Sequence, residues 1–237
     1  MTAIEIKKMI YDELKISEMG FQAIDGAFNI GDFVLLKQFG ESIGMVRFAI
    51  DFRGNEANWG YLFSYSKYFP AVNEILVTFF PKKEISDPYG IGEMEVTIKW
   101  QEKEFFEVRA LADTPAGIQN FIEDGVFYKE RLIETSAIRK EIIERYALPF
   151  FEQYTTLQQV NDNLINTIPQ MKLGRIIPGK MSLKKLIIMS LCNNPNYDEY
   201  KSWYFNIVKS DYESGDPESQ FLYPKLVELI SYLENIK

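Results

Sequence analysis

The stretch spanning residues 45–53 constrains the fold more than any other part of the chain. Val46, Phe48, Ile50 and Phe52 share one parity, and Arg47, Ala49, Asp51 and Arg53 the other. Successive side chains of a strand turn to opposite faces, so the pattern predicts a strand with one apolar face. Such a strand needs paired neighbours and a cover over that face.

The flanking sequence supplies both. Ile6, Met9, Ile10 and Leu14 repeat at helical spacing, predicting a helix over 4–16 that ends near Gly20 and lies across the sheet. Strands are expected over 21–30, interrupted by Asp25 and Gly26, and over 33–39. After a turn at 53–56, Trp59, Tyr61, Phe63 and Tyr65 alternate with Gly60, Leu62, Ser64 and Ser66. The rings predict a buried strand face, with a ring-lined ligand groove as the competing reading. Residues 68–80 carry both helical spacing and a strand-like run; Pro70 suits a first helical turn and tips the reading to helix. Beyond a loop at 81–92, Met94, Val96, Ile98 and Trp100 alternate with Glu93, Glu95, Thr97 and Lys99. With a polar turn at 101–104 and a return strand over 105–111, they predict a hairpin.

After Leu111 the period changes to three or four. Thr114 and Pro115 open a predicted helix holding Ile118, Phe121 and Ile122 and stopping near Gly125. A second covers 136–154, kinked or broken by Pro149, and a capping-box layout at 155–158 opens a third. A loop at 169–181 precedes three closing helices: one capped by Ser182, one starting at Asn196, and one starting at Pro217 or Pro224. The expected fold is α+β: a mainly antiparallel sheet of about five to seven strands before residue 112, covered by helices, then an all-helical C-terminal half. The loop divides an α+β unit at 1–168 from a helical subdomain at 169–237 packed on it. The expected core comprises Val46, Phe48, Ile50, Phe52, Val96, Ile98, Phe121, Ile142, Leu164, Leu186, Phe205 and Leu229.

Composition narrows the function. A formal net charge of -8 repels a phosphate backbone and an anionic membrane surface, so neither nucleic acid nor membrane is expected as a partner. A basic protein partner suits that charge. No stretch approaches the roughly 20 apolar residues that span a bilayer. The first residues lack the layout of a signal peptide, and a cytoplasmic location is expected. The chain has no histidine, which removes histidine-based acid–base and nucleophilic catalysis and all histidine-bound metal sites. Its one cysteine, Cys192, permits no internal disulfide and reads as packing rather than as a nucleophile. Gly90 and Gly92 lack the third glycine and following helix of a dinucleotide site, and no cofactor is expected.

Two charged clusters are candidate sites. Glu93, Glu95, Glu102 and Glu104 gather on the predicted hairpin and form a candidate surface for a basic partner. The competing enzyme reading makes Asp87, Glu95 and Glu107 converge on a divalent metal, with Glu107 and Arg109 standing where a metal-dependent nuclease carries Glu-x-Lys on a strand. Between 163 and 197 there is no Asp or Glu, while Lys172, Arg175 and Lys180 stand beside a predicted helix start. These three are the candidate anion or acidic-partner site.

A helix ending at Gly20 and Phe21, a run of strands, and a helix bearing Ala147, Leu148, Pro149, Phe150, Phe151 and Glu152 resemble uncharacterised bacterial α+β domains, some of them immunity proteins of contact-dependent toxin systems. The resemblance covers about the first two thirds of the chain and carries no catalytic residue. It implies a protein-binding role, and a non-enzymatic, immunity-type module is the function expected.

Overall fold

The computed structural model describes residues 3–25, 32–81, 96–99 and 102–236. The alternating stretches form a curled antiparallel sheet of seven strands: β1 (Gln22–Asp25), β2 (Asp32–Phe39), β3 (Ser42–Arg53), β4 (Glu56–Tyr68), β5 (Ile98–Lys99), β6 (Ile122–Glu123) and β7 (Val126–Phe127). The order is β1-β2-β3-β4-β6-β7, with β5 paired to the far end of β4. β3 keeps the expected parity, with Val46, Phe48 and Ile50 buried. Phe52 does not join them; it is 38% exposed beside the turn that joins β3 to β4. Val96 and Phe205, also expected in the core, are half-buried.

Rings from neighbouring elements line the covered face of the sheet. Phe33 stacks on Phe48 at 4.9 Å, Phe48 meets Trp59 edge-on at 5.0 Å, and Trp59 meets Phe121 at 6.5 Å. Trp59 and Tyr65 are buried, so this row is core and not a ligand groove. Phe48 pairs with Phe63 and Ile50 with Trp59, which leaves Ala49 opposite the three residues 60–62. The two extra residues bulge β4 without changing which face Trp59 occupies.

Helices cover this face and then continue as the C-terminal half. α1 (Ala3–Leu14) buries Ile6, Ile10 and Leu14 and lies beside α5 (Lys129–Ile142). The ambiguous stretch before residue 80 is a helix, α2 (Pro70–Phe79), with Pro70 in its first turn. The return strand expected over 105–111 is instead helix α3 (Glu102–Ala112). Its apolar run is short enough to suit either period, and burying Val108 and Ala112, four apart, favours the helix. The helix expected from Pro115 to near Gly125 stops after one turn as α4 (Pro115–Ile118), capped by Thr114. The chain then turns at Asp124 and Gly125, both at positive φ, to pair β6 with β7. Asp-Gly is a two-residue hairpin signature, here read as a helix stop. Among the described residues no strand lies beyond residue 127.

Pro149 acts one turn early. Five π-helical residues, Ile143–Ala147, separate α5 from α6 (Leu148–Gln153), and the Leu148 N–H donates to the Ile143 carbonyl five residues back. The widened turn accommodates a proline that cannot donate to residue 145 and would crowd its carbonyl. A capping box of Thr156 and Gln159 opens α7 (Leu157–Val160), followed by a second π segment, Asn161–Ile165. α8 (Gln170–Leu173) lies within the expected loop; α9 (Met181–Leu191), α10 (Tyr197–Glu213) and α11 (Pro217–Asn235) close the chain. Pro217 starts α11, and Pro224 lies inside it. Buried apolar residues from Ile6 to Leu233 form one cluster that runs through both halves.

A buried lysine joins the sheet to the helices. Lys67 on β4 is fully buried and donates to the Phe151 carbonyl at 2.6 Å and to that of Tyr154, at the end of α6. It pairs across the ladder with Gly44, where a Cβ would lie 2.8 Å from the Phe151 ring. Desolvation pushes its amine down to about 7.

Replacing Phe48 by Ala is expected to cost about 3–5 kcal/mol in a urea titration, since it empties the centre of the ring row; a loss under about 1 kcal/mol would remove that row from the core. The Lys67 amine carries a second expectation. Its folded pKa lies below the unfolded value of 10.5, so above pH 7 the unfolded chain binds more protons. Stability relative to Lys67→Met therefore rises between pH 7 and about 8.5, by roughly 1 kcal/mol per unit, and equal slopes for the two proteins would refute it.

Candidate functional site

Adjacent lysines of α9 part company because consecutive helical residues point about 100° apart. Lys184 turns inward and donates to the Val96 and Pro178 carbonyls at 2.7 and 2.6 Å. Lys185 turns to a cleft of about 430 Å³ formed by α8, α9, α10 and the second π segment. There its amine lies 4.3 Å from the centre of the Tyr200 ring and donates to Gln170 Oε1 at 2.7 Å. Desolvation lowers its pKa.

α10 supplies the opposite wall. Tyr200, Trp203 and Tyr204, at spacings of three and four, bring their rings within 5.4–6.4 Å of one another. Tyr200 is buried and donates to the Ser182 carbonyl at 3.4 Å, whereas Trp203 is 46% exposed. Burial raises the Tyr200 phenol and pushes that of Tyr204 up to about 12. Asn194 organises the floor, donating to Asn161 Oδ1 at 2.6 Å and Asn166 Oδ1 at 2.8 Å and accepting from the Asn196 N–H. Glu199, one helical turn before Trp203, also lines the cleft.

A second cleft, of about 680 Å³, lies where α9 begins, between Phe80, Met181, Leu183, Tyr204, Phe221 and Leu222, with Glu218 on its lining. Lys180 lines it, but its amine donates to the Phe80 carbonyl at 3.2 Å, while Lys225 donates to that of Phe79. Both cap the C-terminal end of α2. Lys172 stands exposed on α8 and Arg175 exposed just after it, and neither lines this cleft. The three expected anion ligands therefore do not share it.

The acidic candidates fare differently. Asp87, Glu93 and Glu95 lie outside the described residues. Glu102 and Glu104 open α3 and do not sit in a turn between strands. Glu107 and Arg109 are also on α3, where residues two apart do not share a face, which removes the strand-borne Glu-x-Lys-like arrangement. Arg109 is instead bonded to Asp113 at 3.0 Å. Among the described residues, no group of three His, Cys, Asp or Glu side chains is placed to hold a metal ion, and no helix is long and apolar enough to cross a membrane.

The aromatic cleft is not legible from its rings, because the sequence does not say which of Tyr200, Trp203 and Tyr204 the fold buries. The available signals were the acid-free stretch at 163–197, which supplies most of its lining, and the Tyr200, Trp203, Tyr204 spacing directly after it. No family model matches the chain, and neither a curated protein nor a solved structure matches it.

Cys192 is half-buried, and burial, with the Asp162 and Glu41 charges behind it, pushes its thiol up to about 11. At pH 8 only about 0.1% is thiolate. Iodoacetamide should modify it roughly a hundredfold more slowly in the folded protein than in urea at pH 8, followed by mass spectrometry; equal rates would mark a reactive thiol.

Proposed function

We propose that the protein is a non-enzymatic module that binds a basic protein partner, as an immunity protein covers a toxin. The observation that supports this is the coincidence of charge and exposed apolar surface on α10 and α11. Residues 197–236 carry eight carboxylates against three lysines and no arginine, a net -5 of the chain's -8. The same two helices expose Trp203, Ile207, Phe221, Val227 and Tyr232, and Ile236 is exposed just after α11. Exposed rings of this size are the side chains that anchor interfaces, and the surrounding negative field steers a basic partner to them. Lys201 is tied to Asp198 and Glu234 at 2.8 Å each, so one of the three cations is already neutralised within the pair. The acidic run from Glu93 through Glu95, Glu102 and Glu104 adds charge of the same sign to the chain.

Affinity capture from the native host tests this reading, with Glu213, Glu218 and Glu228 each changed to Lys in one variant and Phe221 to Ser in another. The expected result is a basic protein held by the wild type, released by moderate salt, and bound at least roughly tenfold more weakly by both variants. An acidic partner, or equal capture by the charge-reversed variant, would overturn it.

A further inference from the structure

We propose that the cleft between α8, α9 and α10 is a binding site for a small planar aromatic carboxylate, which shares Trp203 with the protein-binding surface of α10 and α11. Its volume, about 430 Å³, lies within the range of small-molecule sites. Ile165 and Met189 provide apolar surface, and Trp203 provides a ring that is 46% exposed. A flat aromatic ligand stacks there and covers the part of the indole that the fold leaves open.

The polar lining selects the charge. Asn166, Gln170, Lys185 and Asn196 all come from the acid-free stretch, and Glu199 is the single carboxylate among the lining residues. Among the described residues the Lys185 ammonium is held only by a neutral amide oxygen and a ring face. Lys201 shows the contrast, since it carries two carboxylates of its own. A partly desolvated cation without a counter-ion, in a concave site, gains most from an anion that enters it. Further donors stand beside it. Asn166 uses its Oδ1 on Asn194, which leaves its amide nitrogen without a partner among the described residues, and the Asn196 side chain makes no capping bond.

A carboxylate fits this lining better than a phosphate. One ammonium and two amides match a monoanion with two acceptor oxygens. Arginine forks are missing from the lining, and Glu199 opposes a second negative charge. The bound anion would also raise the Lys185 pKa, so affinity falls as pH climbs through the free protein's lowered value.

The probe is 1-naphthoate, titrated into the full chain and followed by the indole N–H resonances, with Trp203→Phe assigning the signal. The expected result is a saturable shift of the Trp203 resonance with half-saturation below about 1 mM. Lys185→Met and the neutral probe 1-naphthamide should each bind roughly tenfold more weakly, with Lys185→Met unchanged in thermal midpoint by more than a few degrees. If Lys185→Met loses its fold, Lys185→Gln replaces it in the same comparison. No saturation of the wild type by about 10 mM overturns the proposal, as does naphthamide binding as tightly as naphthoate.

Discussion

The fold depends on a lysine amine taken out of water. An ammonium buried without compensation costs several kcal/mol, and Lys67 has no carboxylate among its partners in the described residues. What it has is the carbonyl end of α6, where the helix dipole is negative. That arrangement fixes much else. Lys67 reaches α6 only because Gly44, across the ladder, has no side chain and Phe151 fills the space. Phe151 in turn packs near Phe39 and Tyr65, so the direction of α6 is set by the sheet. The turn between β2 and β3 continues the connection: the Glu41 N–H donates to the Thr155 carbonyl, and the Glu41 carboxylate accepts from Leu157 N–H. The helical half therefore begins on a platform made by one end of β2, β3 and β4.

The same chemistry recurs. Lys37 donates to the Met19 carbonyl, Lys180 and Lys225 to the end of α2, and Lys184 to two loop carbonyls. Long flexible stems bring ammonium groups to carbonyls that the helices and loops cannot satisfy themselves. Several of these amines also lie over rings, as that of Lys67 does with Phe39 and Phe69. Ammonium groups committed to carbonyls in this way balance less of the surface charge. Some carboxylates are spent likewise, Glu41 on the start of α7 and Asp216 on the start of α11, yet residues 197–236 keep a net -5 of the chain's -8.

The parts legible in the sequence were those where one period ran long enough to exclude the other. β3, α1, α10 and α11 are such elements. Residues 105–111 were too short to decide, and Asp124 with Gly125 gave a turn signal that a preceding Thr-Pro pair obscured. The site was less legible for a different reason. The acid-free stretch was visible, yet nothing in the order of residues separates Lys184, spent on backbone carbonyls, from Lys185, one position later and facing a cleft. That division follows from the rotation of α9 against its neighbours, which is decided by packing. The rings of α10 were ambiguous for the same reason: Tyr200 is buried and Trp203 half in solvent, three residues apart on one helix.

The bulge in β4 has a consequence for how the chain can change in length. Three residues face Ala49, and the surplus of two returns Trp59 to the face that holds Phe48 and Phe63. Removing one residue from 60–62 would rotate everything before it by half a strand period. Trp59 and Ala57 would leave the core together, and with Ala57 would go the pairing to Ile122 that brings β6 and β7 to the sheet. Removing two would shorten the bulge and leave every side chain on its side. Insertions and deletions at this point are therefore tolerated in pairs and not singly, so homologous chains should differ here by even numbers of residues.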